Sequence, residues 1–531
     1  MNNKKLSTVD QDILKRFPIN KESSESNSEE CNPAILLYGR RFYKDQTLVE
    51  YLSEFLLAFS SPKKVNGDYS YKFNIGSSPG GEPYAYWPEN RVALKLFSFF
   101  PLSKLETRHR VHRIAYFNAL ETISNKINGS LEEREESIRL IQSLFGGFVG
   151  VAKNRTWVTY SFLPASVSLL ANEVGWEHEK ALKNDSLIVD WNSSRPYFCR
   201  FRNFMARGGE VLFLQLSNLF SQSDNSFIKE IIFIKEYRYL DNRFNGLRER
   251  IEVGLSTMLK ESLGQIGRIV NFVENSLIDY KIEFPSKALA FGWIPVASRA
   301  ESFLFAIEID NLCASNISAL DKLEILKTLC CMQVLRSIFF QARRIDKSEK
   351  YTNCFIGNYA LIVSNPEDRI DSPMRKMAQI SFGMIDALLF RSIRSPSLYK
   401  EKIKEKDLKN GDDNTFRLFR KFSKEIGLVI PLKGVGQRFT LNQGLLRFLV
   451  AVLVSPSKPI RLTEFYQRVF AHYGIALGGE QLNVALDWIG TETDGSSYAV
   501  SSSTAWVEEA LQQGGFLVEL SDAVSMVKNP G

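Results

Sequence analysis

From about residue 103 onward the apolar positions recur three and four apart, and the two-residue alternation of a strand is rare. That period predicts a mainly α chain, a multi-helical array. Its clearest element covers 245–278, where Leu255, Leu259, Leu263, Ile266, Val270, Val273 and Leu277 form one apolar seam. Gly264 and Gly267 weaken such a helix and point to packing within the chain; a dimer zipper is the alternative. A second stripe, Leu323, Leu326, Cys330, Val334 and Ile338, ends at Arg343 and Arg344, cations suited to a helix C-terminus. Ser130/Glu133, Ser318/Asp321 and Thr440/Gln443 have the spacing of capping pairs, and Ser372-Pro373 that of an N-cap with an N1 proline. After Arg108, an amphipathic helix is expected to bury Ile114, Phe117 and Leu120. In the apolar stretch Phe303 to Leu312, strand alternation would aim Glu308 and Asp310 to one side, with a hydrogen-bonded or interface pair as the plain reading.

Residues 34–100 are mixed. Thr47 and Glu50 predict a capped helix over 47–59. The Gly76 to Pro83 segment is a loop without the G-K-[ST] ending of a phosphate-cradling turn. Near the other end, helices are expected over 441–454, 463–473, 479–489 and 504–513, then a hairpin of Phe516–Leu520 and Val524–Lys528. Helices followed by a terminal hairpin have the plan of a winged helix. The organisation is thus a tail over 1–33, a mixed, mostly helical domain over 34–200 and a helical central domain over 201–395. A basic linker over 396–435 and a winged-helix-like domain over 436–531 complete it.

Composition narrows the function. The 531 residues are 44% hydrophobic and 12% aromatic, too apolar for a disordered chain. Lys and Arg number 67 against 60 Asp and Glu, a net +7, and most of that surplus is local. Between Arg391 and Lys424 there are eleven cations against five carboxylates, an excess of six. Lys402, Lys404, Lys406, Arg417, Arg420, Lys421 and Lys424 are therefore candidate phosphate contacts, with a solvated linker as the plain alternative. Arg108, Arg110 and Arg113 form a second basic stripe. Arg40, Arg41 and Lys44 interleave with Phe42 and Tyr43, as cations and aromatics do on single-strand platforms. Arg207 precedes Gly208-Gly209, which break the chain so that Glu210 opens a helix; Arg207 then pairs with Glu210 or meets a phosphate.

The winged-helix-like domain has the wrong sign for a DNA reader. Glu508 and Glu509 stand on the helix before the wing, and the wing sets Lys528 against Glu519 and Asp522. Protein docking through Glu508, Glu509 and Phe516 is the expectation, with Arg461 and Arg468 as candidate backbone contacts.

Little supports catalysis. With four histidines in the chain, His109 and His112 are the one pair at metal-sharing spacing, and three neighbouring arginines would repel a dication. The six cysteines show no C-x-x-C spacing. Asp407-Leu408-Lys409 has the form of a nuclease triplet but lies in the basic run. No catalytic residue, cofactor or metal is assigned. The first thirty residues hold no apolar h-region, and Leu445–Val454 is too short to span a bilayer. A soluble cytoplasmic protein with reduced thiols is expected.

Arg207-Gly208-Gly209-Glu210 and the ending Leu520-Ser521-Asp522-Ala523 to Val527-Lys528-Asn529-Pro530, with the overall plan, resemble the large helical accessory subunits of multi-gene bacterial phage-defence operons. The resemblance implies a non-catalytic partner of a helicase, ATPase or nuclease; the missing catalytic set, the local +6 segment and the acidic tail make that a scaffold or adaptor that touches DNA or RNA backbone weakly. The resemblance transfers no catalytic residue. Two alternatives stand beside it: a metal-dependent nuclease within the N-terminal region, and a helical oligomeric assembly protein built on the 255–277 seam.

Overall fold

The computed structural model describes residues 13–18, 32–40, 46–65, 68–75, 84–99, 105–147, 162–172, 174–199, 208–221, 225–282, 289–346, 354–398, 403–456, 458–490, 505–519 and 524–529. The chain is mainly helical, and among the described residues the strands are two or three residues long in ladders of two or three strands. It divides into two compact units: 1–44 with 214–255 and 292–531, and 45–213 with 256–291.

The first unit is built on the helices Arg299–Ala314, Ala319–Ile345, Pro373–Ile393, Gln443–Leu453 and Leu462–Tyr473. Every residue from Glu301 to Leu312 is buried. A helix hidden on all sides has no amphipathic period, and 303–312 is such a helix in the fold and not an alternating strand. Glu308 and Asp310 consequently point apart, by roughly 200° at 100° per residue. Asp310 meets Arg243 at 2.9 Å and Arg250 at 3.0 Å, and Glu308 meets Arg336 at 2.6 Å.

The Ala319–Ile345 helix starts as its sequence predicts, with Ser318 Oγ accepting from the Asp321 amide at 3.1 Å. Its terminal arginines find carboxylates, Arg343 at Asp346 and Arg344 at Glu301. Cys330 and Cys331 on this helix are free and buried, and burial pushes both thiols up. Thr440 is not the cap of the next predicted helix. Asn442 is, accepting from the Leu445 amide at 2.8 Å, while the Thr440 hydroxyl donates to the Gly427 carbonyl at 3.1 Å.

In the C-terminal part, helices Leu462–Tyr473, Gly479–Ile489 and Ala505–Gln513 and strands Leu517–Glu519 and Ser525–Val527 fall close to their predicted bounds. Ile460–Arg461 is an unpredicted third strand, paired with Ser525–Val527.

The second unit packs Leu48–Ser60, Val92–Phe99, Arg110–Ser124, Leu131–Gly147 and Ile266–Ser276. Thr47 and Glu50 form the expected capping box, and Ser130 with Glu133 pairs likewise. The 245–278 seam is not one helix: a turn at 262–265 separates Leu247–Glu261 from Ile266–Ser276. Leu255, Leu259, Ile266, Val270, Val273 and Leu277 are buried within the chain, and Leu263 in the turn is half-buried.

The Arg110–Ser124 helix is turned the other way from its expected orientation. Val111, His112, Ala115, Tyr116, Ala119 and Ile123 are buried, while Ile114 and Phe117 are more than half exposed. The cause is His112, which behaves as an aromatic: its ring packs on Trp176, Trp191 and Phe198 with centroids 4.4, 5.9 and 5.4 Å away.

Gly208 and Gly209 are a contact seam. A Cβ on Gly209 would stand 2.1 Å from the Tyr51 carbonyl oxygen and 2.5 Å from the Phe55 amide nitrogen. The Gly208 amide donates to Gln46 at 2.8 Å, and the Gly209 amide to Glu54 at 3.2 Å. Glu210 opens the Gly209–Ser221 helix as expected, fully buried, and accepts from the Tyr86 hydroxyl at 3.0 Å.

Candidate functional site

The basic run folds into one helical stretch of the first unit: Glu405–Asp412, a π-helical turn at Asp413–Arg417, then Leu418–Glu425. The wide turn resets the register between the two α segments, and such insertions recur at functional sites. Beyond it, Leu418, Phe419, Phe422 and Ser423 are buried. The opposite side is cationic, because Arg417, Arg420, Lys421 and Lys424 follow one another at i, i+3, i+4 and i+7.

These four line a cleft of about 630 Å³. Its other wall is Asp386 and Phe390, one turn apart on Pro373–Ile393, and Asp412, Asp413 and Phe416 complete it. Carboxylates set the guanidinium positions. Arg420 bonds both oxygens of Asp386, at 3.0 and 3.1 Å, and Arg417 meets Asp413 at 3.2 Å. Behind the wall, Arg394 holds Asp412 through two 2.8 Å bonds and lies 3.7 Å above the Phe390 ring. Lys424 Nζ donates to the Leu432 carbonyl at 3.0 Å.

The lining thus carries four cations against three carboxylates. An arriving anion competes with aspartates for the arginines, so attraction is modest and falls with salt. Phe390 is half exposed at the rim. The cations of this cleft were legible in the sequence. Asp386 and Phe390 stand four apart on a different helix from the cations, and only the fold brings them into the cleft.

The remaining sequence candidates are scattered. Lys404 and Lys406 are exposed at the start of the Glu405–Asp412 helix. Asp407-Leu408-Lys409 lies on that helix and not on the strand a nuclease triplet needs. Arg40 is half-buried, with its amide donating to the Trp293 carbonyl at 2.8 Å. Arg41, Lys44, Arg207 and Lys402, and the Gly76 to Pro83 loop, lie outside the described residues.

Arg108, Arg110 and Arg113 belong to the second unit. Arg110 is engaged there, donating to the carbonyls of Asp185 at 3.1 Å and Ile188 at 2.9 Å. His109 bonds Asp185 at 2.8 Å, and burial, helped by the charges of His109 and Arg108, lowers the His112 pKa to about 3. Among the described residues, no three His, Cys, Asp or Glu side chains are grouped to hold a metal ion.

Glu508 and Glu509 are exposed on the Ala505–Gln513 helix. Phe516 is buried, its amide bonded to the Leu511 carbonyl and its carbonyl to the Lys528 amide, so it is part of the local core and not an open contact. Arg468 is committed to Glu464 and to the Leu453 carbonyl, whereas Arg461 is exposed.

A charged cluster in the core of the first unit is sealed. Glu308 accepts from Arg336 and lies 2.6 Å from His472 Nδ1, and His472 Nε2 lies 2.5 Å from the Tyr239 hydroxyl. Burial would raise the Glu308 pKa, but Arg336 and His472 hold it below the usual value. Burial lowers that of His472 against the pull of Glu308. A neutral imidazole donating to Glu308 and accepting from Tyr239 satisfies every partner.

Among the described residues no helix is long and apolar enough to cross a membrane. Comparisons with family models, with curated proteins and with solved structures found no match for this chain.

Proposed function

We propose that this protein is a non-catalytic scaffold or adaptor subunit of a cytoplasmic, DNA-directed anti-phage defence complex. It contacts nucleic-acid backbone through the cleft at Arg417–Lys424 and a helicase, ATPase or nuclease partner through its C-terminal domain. The observation that carries the first half is the cationic helix face, four side chains at i, i+3, i+4 and i+7 lining one cleft. Phosphates spaced along a strand suit such a row, and the neighbouring carboxylates keep the contact weak and salt-sensitive.

The C-terminal half of the proposal rests on strand order and charge. Ile460–Arg461 pairs with Ser525–Val527, which pairs with Leu517–Glu519, an order that supports the winged-helix reading of 436–531. Exposed Glu508 and Glu509 favour a basic protein surface over a phosphate backbone. The defence setting rests on the resemblance of the 207–210 segment and the chain's ending.

Affinity purification from the native host tests both halves. The wild-type protein is expected to bring down nucleic acid and a protein partner. Arg417→Glu with Lys421→Glu should lose the nucleic acid, and Glu508→Lys with Glu509→Lys should lose the partner. Equal recovery of both from every variant contradicts the proposal.

A further inference from the structure

We infer that the Arg417–Lys424 cleft selects single-stranded nucleic acid, with the Phe390 ring as the platform for an unpaired base; this rests on the backbone-binding reading above. Phe390 is 50% exposed, although a phenyl ring gains from burial and the adjacent helix surface buries Leu388 and Leu389. The Arg394 guanidinium carbon stands 3.7 Å over the centre of this ring and the side chain is itself fixed by Asp412, so one face of the ring is held by a clamped cation. A second ring, Phe416, lines the same cleft and has the Arg420 guanidinium 5.6 Å from its centroid.

Cations for phosphate and held aromatic faces for bases are the two parts of a single-strand site. In a duplex the base faces are stacked inside and cannot reach Phe390, so a duplex would use the cations alone. The cleft, at about 630 Å³, is also of the size that encloses a small ligand, and it suits one extended strand better than a double helix. Seven of its nine lining residues are charged and four of those are cations suited to phosphate, which carries no sequence information, so sequence preference should be slight.

Binding is measured by fluorescence anisotropy at low salt with oligo-dT, oligo-rU and a mixed-sequence duplex of equal length. Quenching of a 2-aminopurine in the single strand reports stacking. The single strands are expected to bind more tightly than the duplex and to quench the reporter, and the ratio of oligo-dT to oligo-rU tells DNA from RNA. Phe390→Ala should weaken single-strand binding by about tenfold and leave the duplex affinity and the salt slope unchanged. Phe390→Trp should restore it. Circular dichroism and the unchanged duplex affinity show that the variant is folded. Equal affinity for strand and duplex, or no effect of Phe390→Ala, overturns the stacking inference while backbone binding stands. No binding to any probe overturns both.

Discussion

Arg336 grips Glu308 through both terminal guanidinium nitrogens, at 2.6 and 2.8 Å, with the two side chains 1% and 0% exposed. The pair joins the Arg299–Ala314 and Ala319–Ile345 helices, and His472 ties it to Leu462–Tyr473. Arg336 also bonds Gln333 Oε1 and the His472 carbonyl, so its donors are well used. Removing one partner strands the other charge in the core. Glu308→Gln or Arg336→Met should each cost about 3–5 kcal/mol in denaturant unfolding, and the double variant Glu308→Leu/Arg336→Met should cost clearly less than the sum. Additive losses would mean that the two charges do not act as a pair.

His112 makes stability depend on pH in a window set by its own shift. Its folded pKa is about 3 against 6.5 unfolded, so the unfolded chain takes up a proton first as pH falls. The contribution is complete above about pH 6.5, declines by up to roughly 1.4 kcal/mol per pH unit below it, and is gone below about pH 3. His112→Phe, which keeps a ring among Trp176, Trp191 and Phe198, should flatten thermal stability between pH 6 and pH 4 relative to the wild type. An unchanged slope would show that His112 is not the group responsible.

Two glycines should respond in opposite ways to the same methyl group. Gly209→Ala drives a Cβ into the backbone of the Leu48–Ser60 helix and should destabilise the fold severely, by about 3 kcal/mol or more. Gly383 stands within Pro373–Ile393 with nothing within 4 Å of a Cβ, so Gly383→Ala should stabilise by up to about 1 kcal/mol. Thermal melts of the two variants decide it. A tolerated Gly209→Ala would mean that the close approach is not needed.

What the sequence revealed follows from where periodicity survives. Amphipathic helices with local caps, such as Leu48–Ser60 behind Thr47 and Glu50, were legible because the signal lies within one turn. Arg299–Ala314 was misread because burial on every side erases the period and its charges are answered by Arg336, Arg344, Arg243 and Arg250 from elsewhere in the chain. The face of Arg110–Ser124 was misjudged because a histidine counted as polar sits in an aromatic pocket. At the cleft, the charge run held the cations and Asp413, the carboxylate four residues before Arg417, but Asp386 and the Phe390 ring come from another helix and needed the fold.

The contact between the cleft and phosphate is tested most directly by the salt dependence of nucleic-acid binding. If all four cations touch phosphate of a single strand, log K should fall with log[salt] at a slope of about −3, and Lys421→Gln or Arg417→Gln should each reduce that slope by about 0.7. A slope near zero, or one that neither substitution changes, would contradict the account.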